Sequence, residues 1–114
     1  NGAKSWEPLD TPFNDAVLSL LSHNGRLYAG TEAQGLYKLE DGDWGKMGLT
    51  GGSVNQLVMI DKHLFMLVDD AVYKSNNDSF SKVESLEDVA CLGVTDRQKL
   101  LVGFNDGTVR WEDV

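Results

Sequence analysis

Hydrophobic and polar positions alternate along this chain in short runs, and the runs recur. Gly35-Leu36-Tyr37-Lys38-Leu39-Glu40-Asp41, Ala71-Val72-Tyr73-Lys74-Ser75-Asn76-Asn77 and Gly107-Thr108-Val109-Arg110-Trp111-Glu112-Asp113 each open on a small residue and carry a basic residue fourth. Upstream of each lies a second apolar run: Arg26-Leu27-Tyr28-Ala29-Gly30, His63-Leu64-Phe65-Met66-Leu67 and Lys99-Leu100-Leu101-Val102-Gly103. Further upstream are Val17-Leu18-Ser19-Leu20, Val54-Asn55-Gln56-Leu57 and Val89-Ala90-Cys91-Leu92. An aromatic heads a fourth element in each unit: Trp6, Trp44 and Phe80, spaced by 38 and 36 residues. Alternation with period two predicts strands. Four short strands per unit, separated by Gly, Asn, Asp and Ser, are the pattern of a β-propeller blade.

The fold class expected is therefore all-β: a β-propeller of four-stranded blades, three per chain, in one domain over 1–114. The units run over about 6–43, 44–79 and 80–114, with a first outer strand at 4–8. Inner strands are predicted near 16–22, 53–60 and 88–94, and second strands near 26–31, 63–68 and 99–104. Third strands fall near 35–40, 71–75 and 107–112, and the remaining outer strands near 43–48 and 79–83. Asn24-Gly25, Asp41-Gly42 and Asp106-Gly107 signal hairpin turns. Inner strands should be apolar on both sides, as Val58-Met59-Ile60 is, because blades stack on both faces. Taken alone, Thr11-Pro12 ahead of Ala16-Val17-Leu18-Ser19-Leu20-Leu21 reads as a capped helix. The matching segments after Gly51-Gly52 and Asp88 hold glycine and β-branched residues, which favour a strand in all three units.

The element order adds a prediction about assembly. The chain opens on an outer strand around Trp6 and closes on a third strand near Trp111. Propellers have about four to eight blades, and an open stack of three exposes apolar faces and an unpaired edge. Two copies (2 × 114 residues) supply six blades. The expected partner is thus a second copy, a homodimer in which each Trp6 strand completes the other chain's last blade. A trimer, or a place within a longer propeller chain, is the alternative. Asn1 rather than Met opens the sequence, which fits processing or trimming.

Composition narrows the function. Ten basic against eighteen acidic side chains leave a net charge of −8, which speaks against nucleic acid and against an anionic membrane surface. No apolar run reaches the roughly 18 residues that span a bilayer. One cysteine, Cys91, excludes an internal disulfide and a cysteine-built zinc site, and suits either redox environment.

Gly35-Leu36-Tyr37-Lys38-Leu39-Glu40-Asp41-Gly42-Asp43-Trp44 resembles the "GLYKS-DGG-TW" element of sialidase-type (BNR, Asp-box) propeller repeats, and Ala71 to Phe80 is a worn copy. Similar repeats occur in the photosystem II assembly-factor propellers. The resemblance implies the propeller fold; the Asp-box is a fold-stabilising turn. Sialidase chemistry needs clustered arginines, whereas Arg26, Arg97 and Arg110 fall at unrelated positions.

In a propeller, the loops ahead of the inner strands and those joining second to third strands share one end. There the sequence gathers candidate ligand-binding residues Asn14, Asp15, Glu32, Gln34, Asn55, Asp69, Asp70, Asp88, Asn105 and Asp106, with Glu87 beside them. Such a rim suits a basic peptide, a sugar or a cation through charge-assisted hydrogen bonds. His23 and His63 read as solvated turn residues in one register, too few for a metal site. Cys91 reads as a buried, inert thiol. The tryptophans and tyrosines read first as packing between blades. Asn77-Asp78-Ser79 has the spacing of a glycosylation sequon. No phosphate loop, dinucleotide fingerprint, HExxH or nucleophile elbow occurs, so no metal, cofactor or catalytic residue is expected. The reading is a non-enzymatic binding module for a protein or peptide partner. A lectin-like carbohydrate binder is the alternative, and a sialidase-like hydrolase is third.

Overall fold

The computed structural model describes residues 8–47, 52–76 and 79–113. They form eleven strands and no helix. The strands are β1 (Val17–His23), β2 (Arg26–Thr31), β3 (Leu36–Glu40), β4 (Asp43–Lys46), β5 (Val54–Ile60), β6 (His63–Val68), β7 (Ala71–Asn76), β8 (Ser79–Lys82), β9 (Val89–Val94), β10 (Leu100–Phe104) and β11 (Val109–Glu112). Within each of three sheets, β1-β2-β3-β4, β5-β6-β7-β8 and β9-β10-β11, strands adjacent in sequence pair antiparallel. Residues 16–21 are strand rather than helix beyond Ala16, as the parallel with the other segments required. The outer strand expected at 4–8 falls outside the described residues except for Pro8, which is not in a strand; Trp6, Asn77 and Asp78 also lie outside them.

Local chemistry sets the hairpins. Asn24 (φ 51°) and Gly25 (φ 77°) both take the left-handed conformation, as a two-residue turn matching strand twist demands. Asp41 (φ 55°) and Gly42 (φ 84°) do the same. Asp106-Gly107 does not. Only Gly107 has positive φ, and the connection is a four-residue loop closed by Phe104 N–H to Thr108 O at 2.9 Å.

The sheets stack through two cores. Leu64, Met66 and Val68 of β6 face the first sheet, packing with Tyr28, Leu36, Val54 and Leu57. The alternate residues Phe65 and Leu67 face the third sheet, packing with Ile60, Val72, Leu92, Leu100 and Val102. The middle sheet is thus covered on both sides, which is why all five of Leu64 to Val68 are buried. Gly30 lets the first sheet approach the second: a Cβ there would overlap Ser19 and the Val54 side chain.

Inner strands lie side by side and are joined in series. Ser19 Oγ–H donates to Val54 O at 2.9 Å. At the corresponding position of β5, the Gln56 amide accepts from Leu92 N–H at 2.6 Å and donates to Leu92 O at 3.3 Å. The match follows from pairing, since Ser19 lies opposite Gly30 and Gln56 opposite Leu67. Cys91, opposite Gly103, holds this position in β9. It is exposed, not buried as expected, because among the described residues no further sheet covers that face.

The third sheet also departs from the sequence alignment by one residue. Lys38 pairs with Tyr28 and Lys74 with Phe65, but it is Trp111, not Arg110, that pairs with Leu101. A one-residue slip turns every side chain to the other face. Trp111 therefore joins Leu101 and Val109 on the outward side, 64% exposed, with Lys99 Nζ 5.4 Å from its ring. Arg110 turns inward over Phe104 at 5.1 Å.

Candidate functional site

The loop end anticipated from the sequence is a continuous structure. Asp15 brackets the β2–β3 loop: its Oδ2 accepts from Ala33 N–H at 2.6 Å and Gln34 N–H at 3.0 Å, and its Oδ1 from Ala16 N–H at 3.0 Å. Gln34 Oε1 accepts from Asn14 N–H at 3.2 Å. In the middle sheet Asp69 Oδ1 accepts from Ser53 N–H, and Asn55 Nδ2–H donates to Asp69 O. In the third, Asn105 Nδ2–H donates to Asp88 O at 3.1 Å, and Asp106 Oδ1 accepts from the N–H and Oγ–H of Thr108. The sheets are tied together there as well, by Ser53 Oγ–H to Glu32 O at 2.9 Å and Val89 N–H to Asp70 O at 3.0 Å.

These bonds sort the acidic residues by role. Asp15, Asp69 and Asp106 spend carboxylate oxygens on backbone donors and shape the loops. The two hydrogen bonds from Thr108 hold the Asp106 carboxyl below the usual aspartate range. Among the described residues, the carboxylates of Glu32, Asp70, Glu87 and Asp88 have no hydrogen-bond or ion-pair partner. Glu32, Asp70, Glu87 and Asp88 are all exposed. Lys82 lines a small cavity of about 90 Å³ with Asp70, Glu87 and Asp88, but beyond ion-pair distance.

The opposite end differs in charge. A cleft of about 440 Å³ runs between the first and second sheets, lined by Arg26, Tyr28, Lys38, Met59, Lys62 and His63 among others. Arg26 Nε–H donates to Glu40 Oε2 at 2.7 Å, and Lys38 Nζ lies 3.4 Å from Glu40 Oε1. The Arg26 hydrogen bond holds the Glu40 carboxyl below its ordinary range and raises the guanidinium further. The two histidines do not share a register: His23 ends β1 opposite Arg26, whereas His63 starts β6 opposite Ile60. They nonetheless line one shallow cavity with Asn24, Asp61 and Lys62. Among the described residues no group of three or more His, Cys, Asp or Glu is arranged to hold a metal ion.

Sequence reasoning passed over the cationic cleft, because its residues come from five strands and the segments between them and form no local motif. A signal does exist: Arg26–Glu40 and Lys99–Asp113 are oppositely charged at matched positions, where the middle unit has His63 and Asn76. No protein-family model matches the chain, and neither a curated protein nor a solved structure matches it.

Proposed function

We propose that this chain is a non-enzymatic binding module of β-propeller type, its three sheets acting as blades and its acidic loop end receiving a basic segment of a protein partner. One observation carries the reading. The loops ahead of β1, β5 and β9 and those joining second to third strands meet at one end, and Glu32, Asp70, Glu87 and Asp88 carry exposed carboxylates there with no partner among the described residues. Asp15, Asp69 and Asp106 tie the loops at that end to their own backbone through hydrogen bonds, which lowers the ordering a ligand would have to impose. A labelled oligolysine peptide titrated in fluorescence anisotropy tests the idea. Binding should weaken steeply with salt and drop at least about tenfold in the combined variant Glu32→Gln, Asp70→Asn, Glu87→Gln, Asp88→Asn. Equal binding by that variant would refute the assignment.

The same reading has a second copy completing the ring. Support comes from the two ends of the stack. Val109 and Trp111 stand exposed beside half-buried Leu101 on the last sheet, and among the described residues β11 is an open edge. Leu20, 63% exposed, lies on the outward face of the first sheet, where Phe13 packs on Tyr37 and Trp44. Light scattering should give twice the 12.5 kDa chain mass. Trp111→Lys, which installs the residue found at positions 38 and 74, should return a single-chain mass. A wild-type mass of one chain at high concentration would refute this assembly.

A further inference from the structure

At one matched position, the first and third sheets pair a cation with a carboxylate across their second and third strands. In the first sheet Arg26 meets Glu40 at 2.7 Å, and in the third Lys99 meets Asp113 at 2.9 Å. The middle sheet breaks the pattern. Its register, Phe65 opposite Lys74, continues to His63 opposite Asn76, a couple without a carboxylate. One position further in, the third sheet has Glu112 opposite Leu100, ion-paired with Arg110 at 2.8 Å. The middle sheet has Ser75 there, its hydroxyl oxygen accepting from Leu64 N–H at 2.9 Å.

The His63 row lies on the third-sheet face of the middle sheet, with Ile60 and Phe65, so the charge of the cleft on its other face is set by the first sheet and by the β5–β6 turn. In the third sheet the carboxylates Glu112 and Asp113 neutralise Arg110 and Lys99. In the cleft between the first and second sheets, Arg26 and Lys38 share the single carboxylate of Glu40. Lys62 has no ion-pair partner among the described residues, and His63 stands beside it. A chain of net charge −8 thus holds a surplus of positive charge in a half-enclosed cleft of about 440 Å³. That volume lies within the range of small-molecule sites. Tyr28 and Met59 add an apolar wall.

We propose that this cleft binds a small organic anion, an oxyanion ester (phosphate or sulfate) on an aromatic body. Lys38 and Lys62 hold the oxyanion, the Ser75 hydroxyl supplies a further hydrogen-bonding group, and the ring lies against Tyr28 and Met59. Glu40 keeps Arg26 fixed at the rim. The site is separate from the acidic loops and stands or falls independently of them.

The test titrates the full chain with phenyl phosphate, phenyl sulfate and inorganic phosphate, following amide shifts by NMR and heat by calorimetry. Either ester should saturate and perturb residues 26, 38, 62–64 and 76. Inorganic phosphate should bind at least about tenfold more weakly, since it lacks the ring. The tighter ester identifies the head group. Lys62→Gln should weaken binding about tenfold. Lys38→Gln should weaken it at least as much without lowering the thermal midpoint. If that midpoint does fall, Lys62→Gln alone decides. Absence of saturation, shifts spread equally over Lys46, Lys74 and Lys82, or unchanged affinity in Lys62→Gln would overturn the proposal.

Discussion

Strands β6 and β10 are written in nearly the same residues and live in different surroundings. His63-Leu64-Phe65-Met66-Leu67-Val68 is buried on both faces, because a sheet lies on each side. In β10, Leu100 and Val102 are buried against the middle sheet, while Leu101 on the other face is only half-buried. The contrast shows that hydrophobicity along a strand marks faces able to be covered, and that neighbours decide which faces are. Apolar surface is driven from water wherever it lies, and among the described residues the outward face of the third sheet leaves Val109 and Trp111 exposed.

The largest test of that contrast is truncation at matched positions. Phe65→Ala should cost roughly 3–5 kcal/mol in denaturant unfolding, the range for emptying a packed aromatic site. Leu101→Ala should cost about 1 kcal/mol or less in the dissociated chain. Equal losses would mean that the third sheet is already covered on both sides.

A smaller effect is expected where inner strands meet. Gln56→Ala leaves the Leu92 N–H and C=O without their side-chain partner, a loss of roughly 1–3 kcal/mol. Cys91→Ser, the same position one sheet later, should leave the stability of the dissociated chain within about 0.5 kcal/mol. Cys91 also reports on assembly. Its labelling by a thiol reagent should slow as protein concentration rises, because a second copy stacked on the third sheet would shield it. A labelling rate independent of concentration would argue that this face stays bare.

The weakest test compares the charge pairs. Arg26 lowers the Glu40 carboxyl in the folded chain relative to the unfolded one. The folded state therefore takes up that proton less readily. Its contribution to stability is complete above the ordinary glutamate range and disappears as pH falls through the lowered folded value. Glu40→Gln should reduce the loss of thermal midpoint between neutral and acid pH by a small amount, because the pair is solvent-exposed. Asp106→Asn should act in the same direction, through Thr108. Asn76→Gln, in the sheet without such a pair, should leave the acid limb unchanged.

Much of the fold was legible from local signals. Strand positions followed from period-two alternation, and Asn24-Gly25 and Asp41-Gly42 are true two-residue turns because those residues tolerate left-handed backbone. Other features had no local signature. Asp61 (φ 54°) and Asp69 (φ 57°) turn the middle sheet's hairpins without a following glycine. Register shifts set Leu18, Asn55 and Ala90 out of the ladder at matched places on the inner strands. The acidic loops were legible as a group, but their division into structural and unpartnered carboxylates was not, since hydrogen bonds such as Asp15 to Ala33 span 18 residues.

Sequence alone determined the all-β class, the element order and the gathering of acidic residues on loops, because each depends on spacing or turn chemistry within a few residues. Tertiary structure alone decided which face of each strand is covered, that Trp111 rather than Arg110 points outward, that Cys91 is exposed, and that Arg26, Lys38 and Lys62 line one cleft beside the Glu40 carboxylate. Those outcomes depend on register and stacking. A shift of one residue in pairing reverses a strand's faces, and no feature of the strand's own composition reveals whether another sheet lies above it.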